Sequence, residues 1–116
     1  MKLTDTEIKF MNIIWDKENI QSSELVKKCN EVFGWKKSTT YTVLKRLQER
    51  KALVNDNARV KSLISRNDIQ KQESINIINN AFGGSLPNFV VAFLSEQKIS
   101  KEEFEELKNI VNSYKG

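Results

Sequence analysis

Hydrophobic residues near the start of the chain recur at three- and four-residue intervals, the spacing that places side chains on one face of a helix. Thr4 and Glu7 form an S/T-x-x-E capping box, an arrangement that often begins a helix. The apolar positions that follow are Ile8, Met11, Ile14 and Trp15. This pattern predicts a first helix over residues 4–18, and residues 19–21 then leave room only for a short strand or turn.

A second apolar face begins after Ser22, which we expect to cap a second helix. Its inward positions are Leu25, Val26 and Cys29, and Cys29 is interpreted as a packing residue. Gly34 is placed to end this helix, because glycine takes a positive φ without steric cost.

A third helix is predicted over residues 38–50, and its two faces differ in chemistry. At about 100° per residue, one narrow sector holds the inner positions Thr40, Val43, Leu44 and Leu47. Ser38, Thr42 and Lys45 fall on the opposite side. Residues 36–51 contain six lysines and arginines against one acid, a net charge of +5 that few ordinary surface helices carry.

Two β-prone segments follow at residues 52–55 and 60–65, and Asp56 and Asn57 supply turn-forming residues between them. Three helices and a hairpin in this order are typical of a winged helix-turn-helix, whose third helix enters the major groove of DNA. We therefore predict a mainly α fold with a small β-hairpin wing, and we assign residues 1–66 to a DNA-binding domain.

The exposed side chains of the third helix are of the kinds that contact DNA. Hydroxyl and phenol groups can read base edges, whereas lysine and arginine neutralise phosphates on any sequence. Base-edge contacts are expected from Thr39, Tyr41 and Thr42. Backbone contacts are expected from Lys36, Lys37, Ser38, Lys45, Arg46 and the wing residue Arg59, with Lys61 as a further wing candidate.

The charge is divided unevenly along the chain. Its net value is +4, but residues 1–66 carry 14 basic and 8 acidic side chains, a net charge of +6. Residues 67–116 carry 5 basic and 7 acidic side chains, a net charge of −2. A basic part followed by a mildly acidic part indicates that only the first binds a polyanion.

Residues 67–116 are predicted to form a lobe of three helices, interrupted at Gly83 and Gly84 and restarted by the caps Ser85 and Ser100. The middle helix is apolar nearly all round, which predicts burial on several sides. So small a lobe cannot enclose its large side chains alone. Burial against a second copy is favoured over packing against the first lobe. The expected dimerisation residues are Phe82, Leu86, Phe89, Val90, Phe93, Leu94, Phe104, Leu107, Val111 and Tyr114.

The residue inventory excludes several kinds of site. The chain has no histidine and a single cysteine, so no metal site and no cofactor is expected, and nucleophilic pairs with histidine are excluded. No apolar run approaches the about 20 residues that span a bilayer, and the first residues lack the apolar core of a signal peptide. We expect a cytoplasmic protein without membrane insertion, and not an enzyme.

Three segments resemble the penicillinase and methicillin-resistance repressor family (BlaI/MecI type), which is related to copper-responsive repressors. They are LTDTEIKFMNIIW, TTYTVLKRLQERKAL, and FGGSLPNFVVAFL followed by KISKEEFEELKNIV. The resemblance runs nearly end to end, and it implies a homodimeric winged-helix repressor of dyad-symmetric operators upstream of resistance genes. Copper-sensing members carry a Cys-x-Cys signature near the C-terminus, which is missing here.

In antibiotic-responsive members the resemblance implies induction by proteolysis, in which a membrane sensor-protease leads to a cut in the dimerisation lobe. The matching region covers residues 88–93. The family's Asn-Phe bond corresponds to Ala92 and Phe93 here, whereas Asn88 and Phe89 form such a pair out of register. The family's glycine after the third helix corresponds to Ala52, where a left-handed helix end would cost about 1 kcal/mol or more.

The predicted function is that of a homodimeric transcriptional repressor that reads operator DNA with helix 38–50 and controls a β-lactamase-like resistance operon. The alternative is an adaptor whose winged helix binds protein and whose basic face is incidental. The net charge of +5 over residues 36–51 favours DNA, because a protein-binding surface is expected to show an apolar or acidic patch there.

Overall fold

The computed structural model describes all residues, Met1–Gly116. It contains six helices and a three-stranded antiparallel sheet, which confirms the mainly α fold with a small hairpin. The chain divides into two compact units, Met1–Gln72 and Glu73–Gly116. The elements are α1 (Asp5–Asp16), β1 (Ile20–Gln21), α2 (Ser22–Phe33), α3 (Lys37–Glu49), β2 (Leu53–Asp56), β3 (Arg59–Ser62), α4 (Arg66–Phe82), α5 (Leu86–Glu96) and α6 (Lys101–Ser113).

Helix α1 begins with the predicted capping box, and both of its hydrogen bonds are formed. The N–H of Glu7 donates to Thr4 Oγ1 at 3.1 Å, and the N–H of Thr4 donates to Glu7 Oε1 at 2.9 Å. The helix ends at Asp16, two residues before the predicted end. The chain turns away at Asn19, whose φ of +62° is incompatible with a continuing right-handed helix.

Helix α2 corrects the prediction that Ser22 is a cap. Gln21 occupies the cap position without a side-chain hydrogen bond, and Ser22 is the first helical residue. Ser22 is buried, and its N–H donates to the carbonyl of Ala58 at 2.8 Å. Its serine side chain therefore serves tertiary contacts instead of the helix end. The predicted end at Gly34 is confirmed, with a φ of +71°.

Helix α3 buries the four predicted inner residues, Thr40, Val43, Leu44 and Leu47. Its end differs from the prediction, because the left-handed residue is Lys51, with a φ of +64°. Ala52 follows it with its side chain fully buried, and its N–H donates to the carbonyl of Leu47 at 2.9 Å. Ala52 therefore carries no left-handed strain; Lys51 does.

The sheet has the order β1-β3-β2, so the short β1 becomes the third strand beside the predicted hairpin. Strand β2 has the predicted length but lies one residue later than predicted, whereas β3 is shorter and ends at Ser62 instead of residue 65. The turn is made by Asn57 and Ala58, both with positive φ, while Asp56 and Arg59 still pair across the strands. A pair of left-handed residues suits the twist of a tight hairpin.

The first unit has one core, formed by α1, α2, α3 and the sheet. Phe10, Ile14, Leu25 and Leu47 are among its fully buried side chains. Cys29 is also fully buried, and burial raises the pKa of its thiol above the ordinary value, which confirms a packing role. The core fixes the buried face of α3, so the orientation of its outer face is fixed too.

The second unit begins within α4, which ends at the predicted glycines Gly83 and Gly84, both with positive φ. Ser85 caps α5 and Ser100 caps α6, each accepting a backbone N–H at 3.1 Å. The predicted burial of α5 on several sides is not found within one chain, because neither α5 nor α6 contains a buried residue. The 44 residues of this unit, Glu73–Gly116, supply too little volume to cover these helices.

No single helix is long and apolar enough to cross a membrane. Only α4 and α5 taken together meet that length and composition, and they are bent by 88° at the break between them.

Candidate nucleic-acid interface

The outer face of α3 carries the residues expected to read bases. Thr39, Tyr41 and Thr42 are all exposed, Thr42 opposite the buried face of the helix and Thr39 and Tyr41 on its two flanks. Thr42 Oγ1 donates to the carbonyl of Ser38 at 2.9 Å, so its oxygen lone pairs and its methyl group stay available to a partner. Thr39 makes no hydrogen bond through its side chain within the chain.

Tyr41 is the most constrained of these three side chains. Its hydroxyl donates to Ser22 Oγ at 3.2 Å, and Lys37 Nζ lies 5.9 Å from the centre of its ring. The phenol is therefore held against the start of α2, which limits the ways in which it can turn toward a base. The spacing of residues along the sequence gave no sign of this contact.

The N-terminus of α3 offers unpaired backbone donors. Lys36 occupies the cap position without a side-chain hydrogen bond, and the first turn contains no acidic residue. The helix dipole adds positive potential at this end, where Lys36 and Lys37 are both exposed. Such an end is suited to a phosphate group.

The predicted backbone-contacting cations fall into two groups. Lys36, Lys37 and Lys45 are exposed and form no ion pair. Arg46 is half exposed, but its Nε lies 3.2 Å from Glu7 Oε2. The lysines are therefore free cations, whereas Arg46 already has an acidic partner.

The wing candidates Arg59 and Lys61 lie on the same exposed face of β3, because Val60 between them points into the core. Arg59 Nη1 donates to the carbonyl of Asn19 at 3.3 Å, which ties this side chain to the loop before β1. Lys61 pairs in register with Val54 and has no ion pair. Asp56 pairs in register with Arg59 and is exposed on the same face, so the outer face of the hairpin carries two cations and one acid.

Glu7 is a site residue that sequence reasoning did not identify. Its side chain is only 3% exposed, and its carboxylate faces Arg46 in α3 and Arg50, the residue that follows α3. Burial raises the pKa of Glu7, but hydrogen bonds from Thr4 and Arg50 and the charges of both arginines outweigh burial and hold it below the ordinary value. The capping box explained why Glu7 is present but said nothing about a partner 43 residues away.

Comparison with known proteins identifies the family of this chain. The family model described as "Penicillinase repressor" matches residues 3–113. The chain belongs to this family. It is 30% identical over 115 residues to the methicillin resistance regulatory protein MecI of Staphylococcus aureus (strain Mu50 / ATCC 700699), covering 96% of this chain and 94% of that protein. It is 27% identical over 120 residues to the penicillinase repressor of Bacillus licheniformis, covering 99% and 93%.

Membership in this repressor family confirms two of the predictions. The chain is a transcriptional repressor by family, and its relatives are named as regulatory proteins and repressors, not as enzymes. Their names refer to penicillinase and to methicillin resistance. They are regulators of the class that the three sequence segments resembled.

The predicted dimerisation residues of the repressor form exposed apolar surfaces in its second unit. Phe82 and Phe89 meet edge to face with their centres 5.4 Å apart, and Phe93 lies 6.3 Å from Phe89. An apolar groove of about 400 Å³ opens beside Leu86 and Phe89. A second groove, of about 220 Å³, is lined by Val90, Leu94, Phe104, Leu107 and Val111. Tyr114 follows α6 and is 78% exposed.

The candidate cleavage residues of the repressor all lie in α5. Asn88, Ala92 and Phe93 are exposed, and Phe89 is half-buried. Both candidate bonds, the one between Asn88 and Phe89 and the one between Ala92 and Phe93, are inside the helix. Neither bond is therefore in the extended form that a protease requires.

Proposed function

We propose that the repressor acts as a homodimer and places α3 in the major groove of dyad-symmetric operator DNA. The exposed polar and cationic face of α3, backed by a buried apolar face, carries this proposal. A helix held in place by a core presents its outer side chains rigidly enough to discriminate between bases. DNA binding is assigned to residues 1–66 and dimerisation to residues 67–116.

Base-edge contacts are assigned to Thr39, Tyr41 and Thr42. Their hydroxyl groups can donate or accept hydrogen bonds, and the threonine side chains also offer a methyl group. Backbone contacts are assigned to the cations around them and to the first turn of α3, that is to Lys36, Lys37, Ser38, Lys45, Arg46, Arg59 and Lys61. Tyr41 is the only large apolar side chain exposed between residues 36 and 51, so no observation favours a protein-binding adaptor.

The exposed apolar surface of the second unit supports the homodimer. Val91, Phe93, Phe104 and Val111 are between 48% and 69% exposed in a single chain. Contiguous apolar surface of this kind marks an interaction site, and a second copy offers the same apolar composition in return. A two-fold axis then sets two α3 helices about one turn of DNA apart, roughly 34–36 Å.

For regulation we propose that the protein acts in the cytoplasm on a resistance-type operon and is relieved by a cut within residues 88–93. The partner is a membrane sensor-protease system, which the names of the relatives support only through their link to antibiotic resistance. Because both candidate bonds lie in α5, cutting requires local unfolding of that helix. Cleavage would then remove the apolar surface that joins the two copies.

Operator binding is tested by selecting bound duplexes from a randomised pool with the full chain, and by titrating the selected duplex at several salt concentrations. We expect a dyad-symmetric site and an affinity that falls steeply with salt. Absence of any selected sequence, or binding that is independent of salt, would contradict the proposal.

Cleavage is tested separately in the native host. The intact mass of the chain is measured before and after exposure of the cells to a β-lactam. A fragment that ends at residue 88 or at residue 92 identifies the bond, and an unchanged mass together with induced transcription excludes proteolytic relief.

A further inference from the structure

Glu7 is the only buried acidic side chain in the chain, and it faces two cations of the DNA-binding helix. Arg46 Nε lies 3.2 Å from its Oε2, and Arg50 Nη1 lies 3.2 and 3.1 Å from Oε1 and Oε2. Arg50 Nη2 also donates to the carbonyl of Lys2 at 2.6 Å. One carboxylate thus holds the arginine in the last turn of α3 and the arginine that caps its C-terminus.

This arrangement changes the number of cations that α3 offers to DNA. Arginine remains ionised in proteins, so Glu7, Arg46 and Arg50 together carry a net charge of +1, whereas the two arginines alone carry +2. The two arginine side chains remain 51% and 38% exposed, so phosphates can approach them. An arginine in an ion pair must give up part of that pair to neutralise a phosphate.

We propose that Glu7 is a specificity-determining residue that limits sequence-independent binding by holding Arg46 and Arg50 in ion pairs. Phosphate contacts strengthen binding to every DNA sequence, whereas base-edge contacts favour only the operator. Restraint of the two arginines lowers affinity for random DNA and leaves discrimination to the outer face of α3. The inference rests on the proposed DNA-binding function.

Glu7→Gln tests this inference with little change in shape. Glutamine also occupies the third helical position of capping boxes, so the hydrogen bond from Thr4 can persist. On a labelled duplex of mixed sequence, the slope of log affinity against log salt should steepen by about 1. Binding at low salt should tighten by about 3- to 10-fold, because an added phosphate contact acts on any sequence.

Asp5→Asn is the matched control, because Asp5 is an exposed acid in the same helical turn and has no arginine partner. Its slope should stay near that of the wild type. The double variant of Glu7→Gln with Arg50→Ala restores the local charge and should restore the slope as well. An equal steepening in Asp5→Asn would overturn the inference, since the effect would then follow net charge alone.

A purely structural role for Glu7 predicts a lower melting temperature and weaker binding without a steeper slope. If Glu7→Gln fails to fold, Arg46→Ala with Arg50→Ala is compared with Lys36→Ala with Lys37→Ala. The double arginine variant should reduce the slope of log affinity against log salt by about 1, and the double lysine variant should reduce it by about 2. Equal reductions would overturn the inference. A wild-type chain without salt-dependent binding would contradict the proposed function itself, whereas normal wild-type binding with an unchanged slope in Glu7→Gln would contradict only this inference.

Discussion

The side-chain oxygen of Gln48 accepts the backbone N–H of Asn55 at 2.7 Å. Gln48 lies in the last turn of α3, and Asn55 lies in β2, the edge strand of the sheet. One hydrogen bond therefore joins α3 to the hairpin and satisfies a donor at an open sheet edge. This contact adds to the packing of β2 against α3 in the core of the first unit.

Gln48→Ala is expected to lower the free energy of unfolding by about 1 kcal/mol, because the N–H of Asn55 loses its partner. Urea denaturation measures the loss, and amide exchange at Asn55 should become faster. Gln48→Glu keeps an acceptor and is the control. Equal destabilisation by both variants would show that the hydrogen bond is not the cause.

Lys51→Gly is expected to stabilise the chain by about 1 kcal/mol, since glycine takes the positive φ at this helix end without steric cost. Ala52→Gly, one residue later, is the matched control. Ala52 is buried and lacks a positive φ, so its replacement should destabilise by about 1 kcal/mol. Chemical denaturation measures the free energy of unfolding of both variants. Destabilisation by Lys51→Gly together with stabilisation by Ala52→Gly would place the left-handed residue at Ala52.

Thr42→Ala is expected to reduce the preference for operator over random DNA by about 1–3 kcal/mol, because a base-edge contact is lost. Lys45→Ala should weaken binding to both duplexes alike and reduce the salt slope by about 1. Anisotropy titrations on the two duplexes separate these effects. An unchanged preference for operator DNA in Thr42→Ala would show that Thr42 makes no base-edge contact.

Leu107→Glu is expected to convert the dimer into monomers at micromolar concentration, since the change puts a charge into the groove between α5 and α6. Glu106→Gln alters a neighbouring exposed position outside that groove and should leave the dimer intact. Sedimentation velocity distinguishes the two states. A monomeric wild-type chain under the same conditions would contradict the dimer directly.

Glu7 is expected to make stability depend on pH below the neutral range. Its pKa in the folded chain lies below the ordinary value of 4.5, so the folded state favours the charged form. The resulting stabilisation is fully present above the unfolded pKa and is lost as the pH falls through the folded pKa. The difference in unfolding free energy between wild type and Glu7→Gln should therefore shrink on acidification.

The control for this pH dependence is Glu49→Gln, which changes an exposed glutamate without an ion pair. Its difference from wild type should stay nearly constant over the same range. A constant difference for Glu7→Gln as well would mean that its ion pairs do not favour the folded state.

The sequence by itself determined the local features of this protein. The capping box of Thr4 and Glu7, the glycine end at Gly34, and the buried face of α3 each depend on residues within a few positions of one another. Helical periodicity and caps report such short-range geometry directly, so these features were predicted correctly. The unpartnered apolar faces of α5 and α6 were also evident, because the lobe is too short to cover them.

Only the tertiary structure decided which side chains meet across the chain. Ser22 contacts Tyr41 instead of capping α2. Lys51 takes the left-handed conformation in place of Ala52. Glu7 forms ion pairs with Arg46 and Arg50. Each of these contacts and conformations depends on how helices and strands distant in sequence pack against one core. The periodicity of apolar residues contains no information about that packing. The sequence thus indicated which helix is the candidate for DNA contact, whereas the fold decided which of its cations form no ion pair.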